Sequence, residues 1–188
     1  MTDPVALLLI DIQRGLDEPR LGRRNNPDAE RNVARFLAEW RARGRPVVHV
    51  RHMSTEPDSP LRPELPGNAF KAEALPADGE PVFEKKVNSA FIGTDLERHL
   101  RDRGIVELVV VGLTTDHCVS STARMASDLG FRVTVVSDAT ATHERTGPGG
   151  EPIGAKEMHL AALASLSREF AAIRTTDDVL ADRPGTGR

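Results

Sequence analysis

The only cysteine of the 188-residue chain, Cys118, stands in a polar segment that reads Gly112-Leu113-Thr114-Thr115-Asp116-His117-Cys118. An apolar run at residues 106–111 precedes this segment, and a helical pattern at residues 119–129 follows it. The first turn of a helix presents unpaired N–H groups and the positive end of the helix dipole, which favour a thiolate over a thiol. Cys118 is therefore a candidate nucleophile. The alternative is a buried, unreactive cysteine, which the polar neighbours disfavour.

Two further groups that could act on a thiol follow other apolar segments. Asp11 comes directly after the apolar run at residues 5–10, and Lys85 follows a short predicted strand at residues 81–84. A free thiol is only partly ionised at neutral pH, so a carboxylate base and an ammonium cation nearby would raise its reactive fraction. Each residue also has a plain alternative. Asp11 could cap a turn, and Lys85, which adjoins Lys86, could be a solvated surface lysine.

Strand and helix patterns alternate along the chain and predict the elements that must position these groups. Strands are predicted at residues 5–10, 47–50, 81–84, 106–111, 132–136 and 171–175. Helices are predicted at residues 27–43, 94–103, 119–129 and 155–170, with Pro27 at a first helical position and a capping box at Thr94-x-x-Glu97. The pattern indicates an α/β fold, a Rossmann-like three-layer α/β/α sandwich with a mostly parallel sheet of about six strands.

In such a sheet the ligand crevice lies beyond the carboxyl ends of the strands, where Asp11, Lys85 and Cys118 would converge. We assign residues 1–181 to one domain and residues 182–188 to a flexible C-terminal tail. Long loops at residues 53–81 and 139–154 are predicted to determine specificity. The first of them could be a lid or a subunit contact.

Composition excludes several classes of function. The formal net charge is -3 with both signs interspersed, which does not favour nucleic-acid binding. The N-terminal apolar run is too short to span a bilayer and lacks the features of a signal peptide. A single cysteine cannot form an internal disulfide, so we expect a reducing, cytoplasmic location.

Three motifs resemble those of the isochorismatase-like cysteine hydrolases, a family that includes nicotinamidases and N-carbamoylsarcosine amidase. Leu9-Ile10-Asp11-Ile12-Gln13 resembles the family's first-strand Asp-x-Gln. Lys85-Lys86-Val87-Asn88-Ser89-Ala90-Phe91 resembles its Lys-x-x-x-Ser-Ala-Phe element, and Gly112-Leu113-Thr114-Thr115-Asp116-His117-Cys118-Val119 resembles its nucleophile segment. Since the three occur in the family's order, the resemblance covers residues 5–175.

The resemblance implies a catalytic triad of Asp11, Lys85 and Cys118. Cys118 would be the nucleophile, Asp11 would accept and return its proton, and Lys85 would stabilise the charged pair. The resemblance also implies a non-proline cis peptide bond between Leu113 and Thr114. This bond would direct the N–H groups of Thr114 and Cys118 into an oxyanion hole.

Candidate substrate contacts are His52 and the motif residues Gln13, Asn88 and Phe91. No metal or other cofactor is expected, because the metal-binding Asp-x-His pair of nicotinamidases is missing from His49-Val50-Arg51-His52-Met53. Two histidines three residues apart on a strand point to opposite faces, which is poor geometry for one ion.

His143 and His159 are interpreted as surface or helix-packing residues. The function predicted from all of these features is hydrolysis of an amide, carbamoyl or lactam C–N bond of a small molecule through a thioester on Cys118. Alternatives are isochorismatase-type vinyl-ether hydrolysis with Asp11 as the acid, a metal-dependent nicotinamidase and a non-enzymatic thiol protein. We expect a homo-oligomer, a dimer or larger, without nucleic-acid or membrane partners.

Overall fold

A computed structural model describes residues 5–182, and a sheet of six parallel strands lies at its centre. These described residues form eight strands: β1 (Val5–Ile10), β2 (Val47–His52), β3 (Val82–Lys85), β4 (Glu107–Leu113), β5 (Arg132–Ala141), β6 (Arg145–Thr146), β7 (Pro152–Ile153) and β8 (Ala172–Arg174). The central sheet has the order β3-β2-β1-β4-β5-β8, with every neighbouring pair parallel. β6 and β7 form a separate antiparallel hairpin.

Helices cover both faces of this sheet. They are α1 (Ala29–Ala42), α2 (Leu96–Arg101), α3 (Ser120–Asp128), α4 (Ala155–Leu166) and α5 (Thr176–Ala181). α1 packs with Phe36 and Trp40 on the face that carries Leu7 and Leu9, and α5 joins it there. α2, α3 and α4 pack on the face that carries Leu8. The predicted three-layer sandwich is confirmed.

The first strand shows why this fold follows from the sequence. Every residue from Ala6 to Ile10 is almost fully buried, because alternate side chains enter the two hydrophobic cores. A polar side chain within this run would have no solvent face to reach. The first polar side chain after this run is that of Asp11, directly beyond the strand.

Several predicted element boundaries are wrong. The last long helix ends at Leu166 instead of 170, since Ser167 is extended and Arg168 has a φ of +73°. α1 begins at Ala29, two residues after Pro27. The fifth strand continues to Ala141 instead of 136.

The predicted capping box at Thr94 is also wrong. α2 begins only at Leu96, and the Thr94 hydroxyl donates a hydrogen bond to the carbonyl oxygen of Ala90 at 2.6 Å. A real capping box opens the unpredicted helix α5, where the Thr175 hydroxyl accepts from the N–H of Asp178. A threonine followed three residues later by an acidic residue therefore caps a helix at Thr175, whereas at Thr94 the threonine closes a turn.

Of the predicted C-terminal tail, Asp182 is described, and residues 183–188 lie outside the described residues. The described Asp182 forms an ion pair with Arg174. Within residues 5–182, no helix has the length and apolar character needed to cross a membrane.

Candidate active site

The strand order brings three sequence-distant residues to one edge of the sheet. Asp11 follows β1, Lys85 ends β3, and Cys118 lies in a turn after β4. β1 and β4 approach each other closely here, since a Cβ atom on Gly112 would lie 2.1 Å from the carbonyl oxygen of Ile10. Gly112 also has a φ of +124°, so this position requires glycine for both reasons.

Lys85 is the centre of the site. Its ammonium Nζ lies 2.6 Å from Asp11 Oδ2, 2.8 Å from His52 Nδ1 and 3.2 Å from Cys118 Sγ. Asp11 and Lys85 are both only 1% exposed. A single buried cation thus contacts a carboxylate, an imidazole and a thiol at once.

Burial dominates the electrostatics of this group. Loss of solvation raises the pKa of Asp11, and the opposing attraction of Lys85 does not cancel the effect. Burial likewise raises the pKa of the Cys118 thiol, and the negative charge of Asp11 raises it further, while Lys85 acts in the opposite direction. Burial and Asp11 thus oppose ionisation of the Cys118 thiol, Lys85 favours it, and the Asp11 carboxylate is more basic than a solvated one.

Cys118 is held in a helical turn that has the wider π geometry. This turn covers Thr115–Val119 and leads directly into α3. The peptide bond between Leu113 and Thr114 is cis, as the resemblance implied. The carbonyl oxygen of Thr114 accepts from the N–H groups of His117 and Val119, both at 3.2 Å. The polar segment that precedes Cys118 thus fixes the start of its helix.

Gln13 does not line the cavity around Cys118. It is fully buried, its Oε1 accepts from the N–H of His52 at 2.8 Å, and its Nε2 donates to the carbonyl oxygens of His52 and Asn68 at 3.1 and 2.8 Å. All of these partners are backbone groups, so Gln13 positions His52 instead of facing a ligand.

The structure places the other two motif residues, Asn88 and Phe91, in different surroundings. Asn88 lines the cavity, and its Oδ1 lies 3.7 Å from Cys118 Sγ. Phe91 belongs to a hydrophobic core and stacks on Phe131, with ring centroids 5.8 Å apart. The structure therefore brings His52, Asn88 and Thr114 to the cavity, whereas Gln13 and Phe91 support its walls.

The cavity above Cys118 encloses about 200 Å³. Fourteen residues line it: Asp11, Leu16, Leu21, His52, Ser59, Pro60, Leu61, Asn88, Leu113, Thr114, His117, Cys118, His143 and Arg145. Both long loops contribute, the first through residues 59–61 and the second through His143 and Arg145. Four leucines, Leu16, Leu21, Leu61 and Leu113, contribute the main apolar part of the lining, and the other lining residues are mostly polar or charged.

His143 and Arg145 were missed as cavity residues by the sequence interpretation. His143 is 3% exposed, and its Nε2 donates to the carbonyl oxygen of Leu16 at 3.1 Å. Arg145 Nη2 lies 3.3 Å from Asp116 Oδ2, so a second ion pair borders the cavity. His159, also buried, contacts Thr115 through its Nδ1 at 2.9 Å and does not line the cavity. Because His143 and Arg145 lie outside the three sequence motifs, no motif indicated that they would line the cavity.

Asp11, His52 and Cys118 together form a group of possible metal ligands. One ligand atom of each lies within 4.8 Å of the others, and His49 lies apart, paired with Glu80. Lys85 Nζ contacts all three ligand residues, so its ammonium occupies the position between them that a cation would take. A divalent ion there would meet strong repulsion from the buried lysine.

The chain was compared with known proteins. A family model described as the isochorismatase domain matches residues 5–178. The uncharacterized isochorismatase family protein YrdC of Bacillus subtilis is 41% identical over 182 residues, which cover 97% of each chain. A crystal structure of an isochorismatase-family protein from Chromobacterium violaceum superposes with a TM-score of 0.92 and 47% identity, covering 96% of this chain and 93% of that one. A streptothricin hydrolase of Streptomyces noursei is 36% identical over 143 residues, 74% of this chain and 55% of its own length.

Proposed function

Because the chain belongs to the isochorismatase family, whose members are hydrolases, we propose that it is a cysteine hydrolase that cleaves a C–N bond of a small molecule. The bond would be that of an amide, a carbamoyl group or a lactam. One observation carries the proposal. A single buried ammonium, Lys85 Nζ, contacts both the carboxylate of Asp11 and the thiol of Cys118.

The first step is acylation of Cys118. The thiol gives its proton to Asp11 as Sγ bonds to the carbonyl carbon of the substrate, and the carbonyl oxygen becomes an oxyanion. The raised pKa of the buried Asp11 suits it to accept this proton, and Lys85 stabilises the carboxylate and the developing thiolate alike. The N–H groups of Thr114 and Cys118 stabilise the oxyanion.

The second step releases the amine and then the acid. Asp11 returns its proton to the leaving nitrogen as the C–N bond breaks, which leaves a thioester on Cys118. Asp11 then takes a proton from a water molecule that attacks the thioester. The S–C bond breaks, the thiol is protonated again, and the carboxylic or carbamic acid departs.

Size and charge of the cavity support a small, uncharged substrate. The cavity volume of about 200 Å³ is below the range of roughly 300–1,000 Å³ that is usual for pockets that bind drug-sized ligands. The charged groups that border it form two ion pairs, Asp11 with Lys85 and Asp116 with Arg145, so each sign is balanced. The leucine-rich wall suits an apolar substrate body.

The alternative is vinyl-ether hydrolysis, in which Asp11 acts as an acid and no thiol nucleophile is needed. The raised pKa of Asp11 is compatible with that role. The position of Cys118 Sγ 3.2 Å from Lys85 Nζ favours the amide reaction, because the ammonium would stabilise a developing thiolate, which the vinyl-ether reaction does not require.

The experiment that tests the proposal is a screen, with the products identified by mass spectrometry, over amides, ureas, carbamoyl compounds and cyclic lactams, together with isochorismate as a vinyl ether. We expect turnover of at least one C–N substrate that is lost in both Cys118→Ala and Asp11→Asn. Loss in Asp11→Asn with full activity in Cys118→Ala would overturn the proposal in favour of the vinyl-ether reaction.

We further propose that the protein acts in the cytoplasm and associates with itself as a dimer or larger. Several large hydrophobic side chains are exposed. Val87 and Ile92 lie close in sequence to the cavity residue Asn88 and are 45% and 48% exposed, and Leu160 on α4 is 54% exposed. Burial of such side chains would favour association. Analytical ultracentrifugation should show a species larger than a monomer; a monomer at all concentrations would contradict the proposal.

A further inference from the structure

His52 is fixed by buried side chains more firmly than a residue at a strand end requires. Its N–H donates to Gln13 Oε1 at 2.8 Å, and its carbonyl oxygen accepts from Gln13 Nε2 at 3.1 Å and from Asn68 Nδ2 at 2.9 Å. Gln13 and Asn68 are both buried. These two amides therefore hold the backbone of His52 in one orientation.

The hydrogen bonds of Lys85 fix the tautomer of the His52 ring. An ammonium has N–H donors and no acceptor, and Lys85 Nζ lies 2.8 Å from His52 Nδ1. His52 Nδ1 must then be the acceptor, so a neutral ring carries its proton on Nε2. Burial and the charge of Lys85 lower the pKa of His52 to about 4, so the ring is neutral at neutral pH.

The remaining N–H of His52, on Nε2, has no acceptor among residues 5–182. Nδ1 is the only ring nitrogen of His52 with a hydrogen bond to another described residue, and the ring lines the cavity. One of its nitrogens lies within 4.8 Å of Cys118 Sγ. A group bonded to Sγ would therefore lie next to this imidazole.

A second cavity histidine provides the contrast. His143 Nε2 donates to the carbonyl oxygen of Leu16, so its one N–H is already used within the protein. The rings of His52 and His143 line the same cavity, and of these two buried or half-buried histidines only His52 has an N–H without an acceptor among residues 5–182.

We propose that His52 is a specificity-determining residue, which donates a hydrogen bond from Nε2–H to an acceptor on the atom next to the substrate carbon that bonds to Cys118. The preferred substrate is then an amide with a carbonyl oxygen, an ether oxygen or an unprotonated ring nitrogen at that place. The inference rests on the proposed function for the identity of the reacting carbon. Gln13 acts through His52 as a positioning residue.

Alkylation of Cys118 tests this without any turnover. Iodoacetamide carries a carbonyl acceptor next to the carbon that sulfur attacks, and allyl iodide carries none. The ratio of their rate constants, normalised to the same ratio for glutathione, isolates recognition of the acceptor, because any change in thiol reactivity affects both reagents equally. We expect His52→Phe to lower this ratio about five- to tenfold, the effect of one neutral hydrogen bond.

Two variants serve as controls for the ratio. His52→Gln keeps both an acceptor for Lys85 and an N–H donor, so it should retain most of the wild-type ratio. His143→Phe removes a cavity histidine whose donor is already used, so it should change both rate constants together. Circular dichroism establishes that each variant is folded.

A measurement on the unmodified protein covers the case in which a variant does not fold. The ¹⁵N shifts of His52 should show a protonated Nε2 and an unprotonated Nδ1 at neutral pH. A protonated Nδ1, or a folded His52→Phe with the wild-type ratio, would overturn the inference. Absence of amide turnover with the expected ratio would instead count against the proposed function alone.

Discussion

Two clusters of ionisable side chains, each built around a buried lysine, use similar residues to opposite effect. The thiol cluster consists of Asp11, His52, Lys85 and Cys118. The loop cluster consists of Asp17, Arg24, Glu30 and Lys71, and joins α1 to the loops that follow β1 and precede β3. Each cluster contains a lysine that is almost fully buried.

The clusters differ in the number of cations that each anion contacts. The Glu30 carboxylate accepts hydrogen bonds from Nη1 and Nη2 of Arg24, at 2.5 and 2.7 Å, and from Lys71 Nζ at 2.5 Å. Burial acts to raise the pKa of Glu30, but these hydrogen bonds outweigh it and hold the pKa at about 2. Asp11 has Lys85 alone, which it shares with a thiol and an imidazole, and burial raises its pKa.

The comparison teaches that a buried carboxylate beside a lysine is not in itself a reactive group. Contacts with two cations keep Glu30 in its anionic form at neutral pH, and these contacts connect the loops. One shared cation leaves Asp11 able to take up and release a proton, which is what a general base requires.

Replacing the buried lysine of each cluster with alanine should give the largest difference between the clusters, because one variant should lose activity and the other stability. Lys85→Ala removes the cation that contacts the thiol and should lower kcat by about 100-fold or more. Lys71→Ala should leave kcat almost unchanged but lower the free energy of unfolding by about 3–5 kcal/mol, because it uncouples buried charges. Steady-state kinetics and denaturant melts measure the two effects.

The neighbour of Lys85 supplies a matched control. Lys86 is exposed, and Lys86→Ala should change kcat by less than about tenfold. A larger loss in Lys86→Ala than in Lys85→Ala would mean that the lysine of the motif has been assigned to the wrong position.

The carboxylates should differ in how stability depends on pH. The folded-state pKa of Glu30 is lowered from 4.5 to about 2, so its contribution, about 3 kcal/mol, is fully present above the unfolded pKa and is lost as pH falls from about 4.5 through 2. Asp11 has a raised folded-state pKa, so its own contribution has the opposite sign.

Urea melts of wild type and Glu30→Gln between pH 7 and pH 3 test this. The difference in unfolding free energy should be greatest at pH 7 and shrink as the solution becomes more acidic. A difference that is constant or grows towards pH 3 would show that Glu30 is not held as an anion by the loop cluster.

The thiol should show the effect of burial in its reactivity. Because the pKa of Cys118 is raised, the rate of alkylation by iodoacetamide should be at least about tenfold below that of an exposed cysteine at pH 7 and should still rise above pH 9. A rate that levels off below pH 7 would indicate a resting thiolate and would restore the interpretation made from the sequence.

The smallest expected effect is that of metal removal. Lys85 Nζ contacts Asp11, His52 and Cys118, so the reaction should be unchanged after exhaustive dialysis against a chelator. In Lys85→Ala the same ligands lose this cation, and added zinc should bind more tightly than to wild type. Activity that is lost on chelation and restored by one metal would contradict the account.

Much of the fold could be predicted because its signals are local. The buried run of β1, the polar segment before Cys118 and the alternation of strands with helices all lie within short stretches of sequence. The rule that ligands bind at the carboxyl ends of parallel strands then brought Asp11, Lys85 and Cys118 together. Boundaries such as the end of α4 depend on single backbone conformations and were missed.

The site beyond these three residues depends on contacts between distant segments. Gln13 lies in the same motif as Asp11, yet its amide turns away to His52 and Asn68. His143 and Arg145 reach the cavity only because a long loop folds over it. The ionisation of the Cys118 thiol depends on the balance of burial and the charge of Asp11 against one cation, which no sequence pattern expresses.

The most direct test of the central claim is to trap the acyl group on Cys118. A reaction with the best amide of the substrate screen would be quenched in acid during turnover, digested and analysed by mass spectrometry. The account predicts that the peptide containing Cys118 gains the mass of the acyl fragment and that Cys118→Ser does not turn the substrate over. Consumption of substrate with an unmodified Cys118 peptide, together with turnover by Cys118→Ala, would contradict it.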